Sequence, residues 1–174
     1  ISEVGYGTWQ LAKDPNCWVG ADLKERLRNL NKFSELGGNF IDTAWVYGYS
    51  GENPERHPSE ELIGKFLKES GKKDKMVIAT KIAPKNWKWP AWKGIPISEV
   101  FPDDHIIKCV DDSLKSLGVD TIDLVQFHVW QDDFVDEDSW KEIVTKILKS
   151  GKVKHWGISI NDYQPTNCLK VIDT

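Results

Sequence analysis

The chain has 174 residues, 40% of them apolar, with 23 basic and 27 acidic side chains and a net charge of −4. That is one globular domain's worth of sequence rather than a disordered tail, and a chain of this size buries roughly 70% of the surface it would expose unfolded. The mild acidity argues against nucleic acid or an anionic membrane as a partner, because both need clustered basic charge. No apolar run reaches the length of about 18 residues that a membrane span requires.

The three cysteines, Cys17, Cys109 and Cys168, are odd in number, lack metal-type spacing and follow no leader pattern. A reduced, cytoplasmic chain is the simplest expectation. The first residue, Ile1, is not a methionine, which suggests a true start elsewhere. Nine tryptophans are a heavy load for the length.

Short apolar runs alternate with longer stretches of helical period. Val4 to Trp9, Asn39 to Asp42, Met76 to Lys81, Ile122 to His128 and Val153 to Ser159 read as strands buried on both faces. Between them, Leu23, Leu27, Leu30, Phe33 and Leu36 keep helical spacing and stop at Gly37 and Gly38. Ser59 opens a second helix with Leu62, Ile63, Phe66 and Leu67 inward, closed by Gly71. Asp103 or Asp104 opens a third, which carries Ile106, Ile107, Val110, Leu114 and Leu117 to Gly118. A fourth runs from about Asp138 to Gly151, and Pro165 sits where a fifth would begin. Strands alternating with helices, without hairpin signals, predict right-handed crossovers and a parallel sheet. The stretch from Ile82 to Pro102, rich in Trp and Pro, is too long for a mere connection and is a candidate functional loop.

The polar residues at the strand ends carry the chemistry. Asp42 ends the second strand, Lys81 the third, His128 the fourth and Ser159 the fifth, while Tyr47 follows Asp42 in the same loop. In a parallel α/β barrel all carboxyl ends open on one face, so these side chains can converge. Singly each has a bland reading: an Asp as a turn or cap, a His as a satisfied core group, a Tyr or Trp as packing. Lys81 is sharper, because a buried ammonium needs a partner, and Asp42 is the obvious one. An ammonium beside a phenol would lower the phenol's pKa, making Tyr47 a workable proton donor to a carbonyl oxygen. His128 would orient that carbonyl. No protein nucleophile stands beside a base, so the hydride must come from a cofactor.

With these residues in view, the sequence resembles the aldo-keto reductases, NAD(P)H-dependent oxidoreductases on a TIM-type (β/α)8 barrel. The matching stretches are Gly5–Trp9 (GYGTW), Gly38–Gly48 (GNFIDTAWVYG), Ser59–Gly64 (SEELIG), Ala79–Lys81 (ATK), Ser113–Gly118 (SLKSLG), Asp123–His128 (DLVQFH) and Gly151–Ser159 (GKVKHWGIS). The resemblance implies a catalytic tetrad of Asp42, Tyr47, Lys81 and His128. It implies cofactor contacts from Gly7, Thr8, Asp42 and Ser159, with NADP as cofactor and NAD as the alternative. Ile160 stands where many members have Asn, and Asn161 serves only if the backbone has already left the strand. Trp9, Trp45, Trp87 and Trp130 would wall a substrate pocket, with Trp89 and Trp92 on the same loop as Trp87 either joining them or packing that loop onto the rim.

His57, His105 and His155 lack metal spacing, and the acidic stretch Asp132 to Asp138 reads as a solvated loop, so no metal site is expected. An eight-unit barrel takes about 250 residues. Residues 1–174 therefore form a single, incomplete domain of about five βα units, with the last three absent. The implied activity is reduction of a small-molecule aldehyde or ketone by NAD(P)H. The alternatives are a cofactor-sensing binding subunit of the same fold and an inactive fragment. Oligomeric state and substrate identity are not encoded in any motif.

Overall fold

The computed structural model describes residues 1–12, 22–160 and 165–173. Five parallel strands are ordered as in the sequence, β1 (Tyr6–Gly7), β2 (Phe40–Asp42), β3 (Val77–Ile82), β4 (Ile122–Phe127) and β5 (Val153–Ile158). Helices α1 (Leu23–Glu35), α2 (Pro58–Ser70), a single turn α3 (Ile97–Val100), α4 (Asp103–Leu117) and α5 (Ser139–Lys149) lie between them. The register Ile41↔Ile78, Ala79↔Leu124 and Lys81↔Gln126↔Gly157 is continuous across the sheet. The five strands and the helices that follow the first four are part of a (β/α)8 barrel, and Cys17 lies outside the described residues.

Alternation along β3 sets the two faces of the sheet. Ile78, Thr80 and Ile82 point to the helix layer, where Thr80 Oγ1 bonds Glu60 of α2 at 2.6 Å. The opposite parity places Ala79 and Lys81 on the other face, the barrel interior. Leu62, Ile63, Phe66 and Leu67 of α2 and Ile106, Val110 and Leu117 of α4 fill the helix-side core. Full burial of one such side chain contributes about 1.5–3 kcal/mol. Gly64 lets α2 and α4 approach, since a Cβ there would collide with the carbonyls of Ser116 and Leu117.

The helix ends show which local signals act. Asp22 and Glu25 form a reciprocal capping box at α1, and Gly71 and Gly118 close α2 and α4 in the left-handed conformation. Ser59 does not cap α2 as expected. Pro58 already occupies the first turn, which starts the helix one residue earlier and turns the Ser59 hydroxyl toward the sheet. No α-helix forms at Pro165 either; residues 165–169 turn and Lys170–Asp173 wind as a 3-10 segment. Asn167 holds that segment down, donating to the Trp130 carbonyl at 2.8 Å and accepting from the Asp132 N–H at 2.9 Å. Among the described residues no helix is long and apolar enough to cross a membrane.

Candidate active site

The carboxyl ends of β2, β3 and β4 bring the four tetrad candidates together. Lys81 Nζ donates to Asp42 Oδ1 at 2.7 Å and to the Thr43 carbonyl at 2.8 Å, and lies 3.5 Å from Tyr47 Oη. The same ammonium stands 5.1 Å from the centre of the Tyr47 ring. The His128 ring meets Tyr47 edge-on at 5.7 Å. Tyr47 reaches this position because Gly48 turns the chain back at φ 78°, where a Cβ would strike the Ala12 carbonyl.

The electrostatics follow from burial. Burial pulls the Lys81 pKa down, while the charge and hydrogen bond of Asp42 act the other way. Burial and the Lys81 charge push His128 down to about 3, so the imidazole is neutral. Among the described residues its Nδ1 is buried without a hydrogen-bond partner. Tyr47 departs from the sequence expectation, since its pKa is pushed up to about 12 by burial and by the Asp42 charge rather than lowered by Lys81. At neutral pH the phenol therefore carries its proton.

Other candidates fall in three places. Trp9 is partly exposed and stacks near the Tyr47 ring at 6.1 Å, so it lies at the mouth. Gly7 adjoins Asp42 in register, and a Cβ built there meets nothing, which leaves open space beside the site. Ser159 extends β5 through an N–H bond to the Phe127 carbonyl at 2.8 Å, and Asn161 lies outside the described residues.

Three expected contacts need correction. Thr8 is fully buried with its hydroxyl on the Asp42 carbonyl at 3.0 Å, so it supports the site from behind instead of lining it. Trp45 is buried outside the mouth, against His57 at 4.4 Å, with its indole N–H on Asp112 at 3.2 Å. Trp130 is fully buried among Phe127, Phe134 and Trp140. Parity alone would keep Trp130 on the face of His128, but β4 ends at Phe127, and by Trp130 the chain has left the strand and turned into the aromatic core. Trp87, half-exposed, packs on Trp45 and Tyr49. Trp89, for which the sequence leaves open walling the pocket or packing the loop onto the rim, sits edge-on to His128 at 4.8 Å. Its place at the mouth depends on how residues 83–96 fold back, which no local spacing encodes.

The aldo/keto reductase family model matches residues 3–170. The chain belongs to the aldo/keto reductase family. It is 33% identical over 158 residues to aldo-keto reductase YhdN of Bacillus subtilis, a match covering 91% of this chain and 43% of that protein. It is 29% identical to methylglyoxal reductase YeaE of Escherichia coli, covering 94% and 47%. Among solved structures, the holo form of aldo-keto reductase AKR11C1 from Bacillus halodurans superposes with a TM-score of 0.65 at 30% identity, over 92% of this chain and 46% of that one. A Klebsiella pneumoniae aldo-keto reductase in complex with NADPH shares the fold, with a TM-score of 0.64 at 23% identity over 98% and 49%. The chain thus spans less than half the length of the curated relatives it matches.

A Cβ on Gly7, in register with Asp42, would meet nothing within 4 Å, so there is room for a ring beside the Asp42–Lys81 pair, and no side chain there can give a hydride. The site's chemistry therefore fits a nicotinamide. Among the described residues no group of three or more His, Cys, Asp or Glu is arranged to hold a metal ion.

Proposed function

We propose that the protein carrying this chain reduces a small aldehyde or ketone to the alcohol with NADPH, with NADH as the alternative donor, and that Tyr47 supplies the proton. The observation that supports this reading is the Lys81 ammonium held between Asp42 and the Thr43 carbonyl and aimed at a phenol that is protonated at neutral pH. Gly7, Asp42 and Ser159 would hold the nicotinamide, which when bound supplies the hydride.

The side chains then divide the remaining work. A carbonyl oxygen seated between Tyr47 and His128 accepts the phenol's proton as negative charge develops on it. A phenolate on Tyr47 is stabilised by Lys81, whose charge Asp42 maintains against the cost of burial. His128, neutral at working pH, can offer an N–H to the same oxygen without adding a competing charge. Trp9 and Trp89 flank the opening with indole surface and restrict water around the oxygen. A reducing compartment, the cytoplasm, belongs to this reading, with Cys109 and Cys168 as free thiols.

The test is Tyr47→Phe, assayed by cofactor absorbance against a panel of carbonyls. Turnover is expected to fall by about 10²- to 10⁴-fold, the usual scale for losing a positioned general acid. Cofactor binding, followed by quenching of tryptophan fluorescence, is expected to persist. Unchanged turnover would remove Tyr47 from its role.

A further inference from the structure

Ser59, the first residue of the SEELIG motif, is fully buried on the helix side of the sheet, and the reaction above makes no use of it. Its surroundings define a directed chain of hydroxyls. Thr8 Oγ1 donates to the Asp42 carbonyl at 3.0 Å, which spends the only hydroxyl proton of Thr8. At 2.8 Å, Ser59 must therefore donate to Thr8. With the Ser59 proton spent, Thr43 must donate to Ser59 at 2.9 Å. The order Thr43 to Ser59 to Thr8 to Asp42 carbonyl is thus the arrangement in which all three contacts are satisfied.

This chain ends where the tetrad is anchored. The Thr43 carbonyl is one of the two oxygens that hold Lys81 Nζ, and Asp42 supplies the other. The Ser59 backbone N–H also donates to the Tyr47 carbonyl at 3.3 Å. One residue therefore ties the end of β1, the Asp42–Thr43 peptide and the Tyr47 loop to the first turn of α2. All three hydroxyl-bearing residues are fully buried, so water does not replace a lost partner without rearrangement.

We propose that Ser59 is a positioning residue for the proton-transfer site, setting where the Thr43 carbonyl holds the Lys81 ammonium relative to the Tyr47 phenol. The inference rests on the reductase reading for its kinetic consequence but not for its geometry. Ser59 touches no reacting atom. Its removal leaves Thr8 on the Asp42 carbonyl but takes the acceptor from the Thr43 hydroxyl, which frees the Thr43 peptide to move. Lys81 then keeps Asp42 but loses a carbonyl that favours its charged form.

The experiment compares the protein carrying this chain with Ser59→Ala, Thr43→Val, the double variant, and Ser113→Ala as a buried-hydroxyl control from α4. The first readout is the titration of Lys81 by NMR of carbon-13-labelled lysine, assigned with Lys81→Met, which needs no turnover. The Lys81 pKa is expected to drop by about half a unit or more in Ser59→Ala and Thr43→Val, because a hydrogen bond to the charged form is lost. Ser113→Ala is expected to leave it in place. The second readout is carbonyl reduction. There kcat falls by about ten- to a hundredfold with KM little changed, and the double variant loses no more than the worse single one. Thr43→Ser, which keeps the hydroxyl, restores both readouts. An unmoved Lys81 titration in folded Ser59→Ala, or an equal shift in Ser113→Ala, overturns the proposal. If the parent reduces no carbonyl, the reductase reading fails while the Lys81 titration still decides the role of Ser59.

Discussion

Strand β3 sends two neighbouring residues into opposite environments. Lys81 enters the barrel mouth, where it meets Asp42, whose side chain remains 36% exposed. Thr80 faces the helix layer and donates to Glu60, which is fully buried. Both faces hold carboxyls and imidazoles, yet in different states. Asp42 has an ammonium at 2.7 Å, whereas burial raises Glu60 to about 7, the hydrogen bonds from Thr80 and Ser113 only partly opposing it. His128 faces Lys81 and Tyr47 with Nδ1 unpartnered among the described residues, while His57 donates from Nδ1 to the Trp45 carbonyl at 3.0 Å under a packed indole. The inner face thus holds a paired ammonium beside a protonated phenol and a neutral imidazole. The outer face uses polar groups to hold the loops that deliver that charge, because helices cover it and a free charge there would be poorly solvated.

The strongest way to break this contrast is to remove the inner charge. Lys81→Met is expected to lower kcat by about 10²- to 10³-fold, the scale of losing a preorganised electrostatic group. An activity loss smaller than tenfold would place the charge that matters elsewhere. On the outer face the expected effect is on stability. Burial raises the folded-state pKa of Glu60 from the ordinary carboxylate value of 4.5 to about 7, so between those values the folded chain binds more protons than the unfolded one. Its contribution to stability therefore falls as pH rises from about 4.5 through 7, by on the order of 3 kcal/mol. Glu60→Gln is expected to flatten that slope in urea titrations across this window. An unchanged slope would mean that Glu60 is not held protonated. His128, held low, acts with the opposite sign, adding stability as pH rises from about 3 to 6.5, so the difference between parent and Glu60→Gln isolates the carboxyl. Smallest of all is Lys154→Ala, which removes an exposed pair with Asp123. No measurable change in melting temperature or turnover is expected.

Much of this arrangement was legible from local pattern. The alternation of apolar runs with helical periods marks five βα units because strand and helix periods are intrinsic to the backbone. Asp42, Lys81 and His128 stood out because each ends an apolar run. The misplacements share a cause. Thr8, Trp45 and Trp130 lie close in sequence to mouth residues, but each lies past the end of its strand, where strand alternation no longer sets the facing of a side chain. The sequence predicts that Ser59 opens the second helix, yet Pro58 takes the first position and the Ser59 hydroxyl turns to the sheet.

What the sequence determined by itself is the order of strands and helices and the identity of the polar groups at the strand ends, since both depend on short-range periodicity and residue chemistry. The tertiary structure alone decided how those groups ionise and how they are held. Burial overrode the expected lowering of the Tyr47 pKa, and Trp89 came to His128 across a loop. Three hydroxyls from two strand ends and one helix joined in a single direction. Desolvation and hydrogen-bond direction are properties of packed neighbours, and residues distant in the chain become neighbours only when the sheet closes beneath its helices.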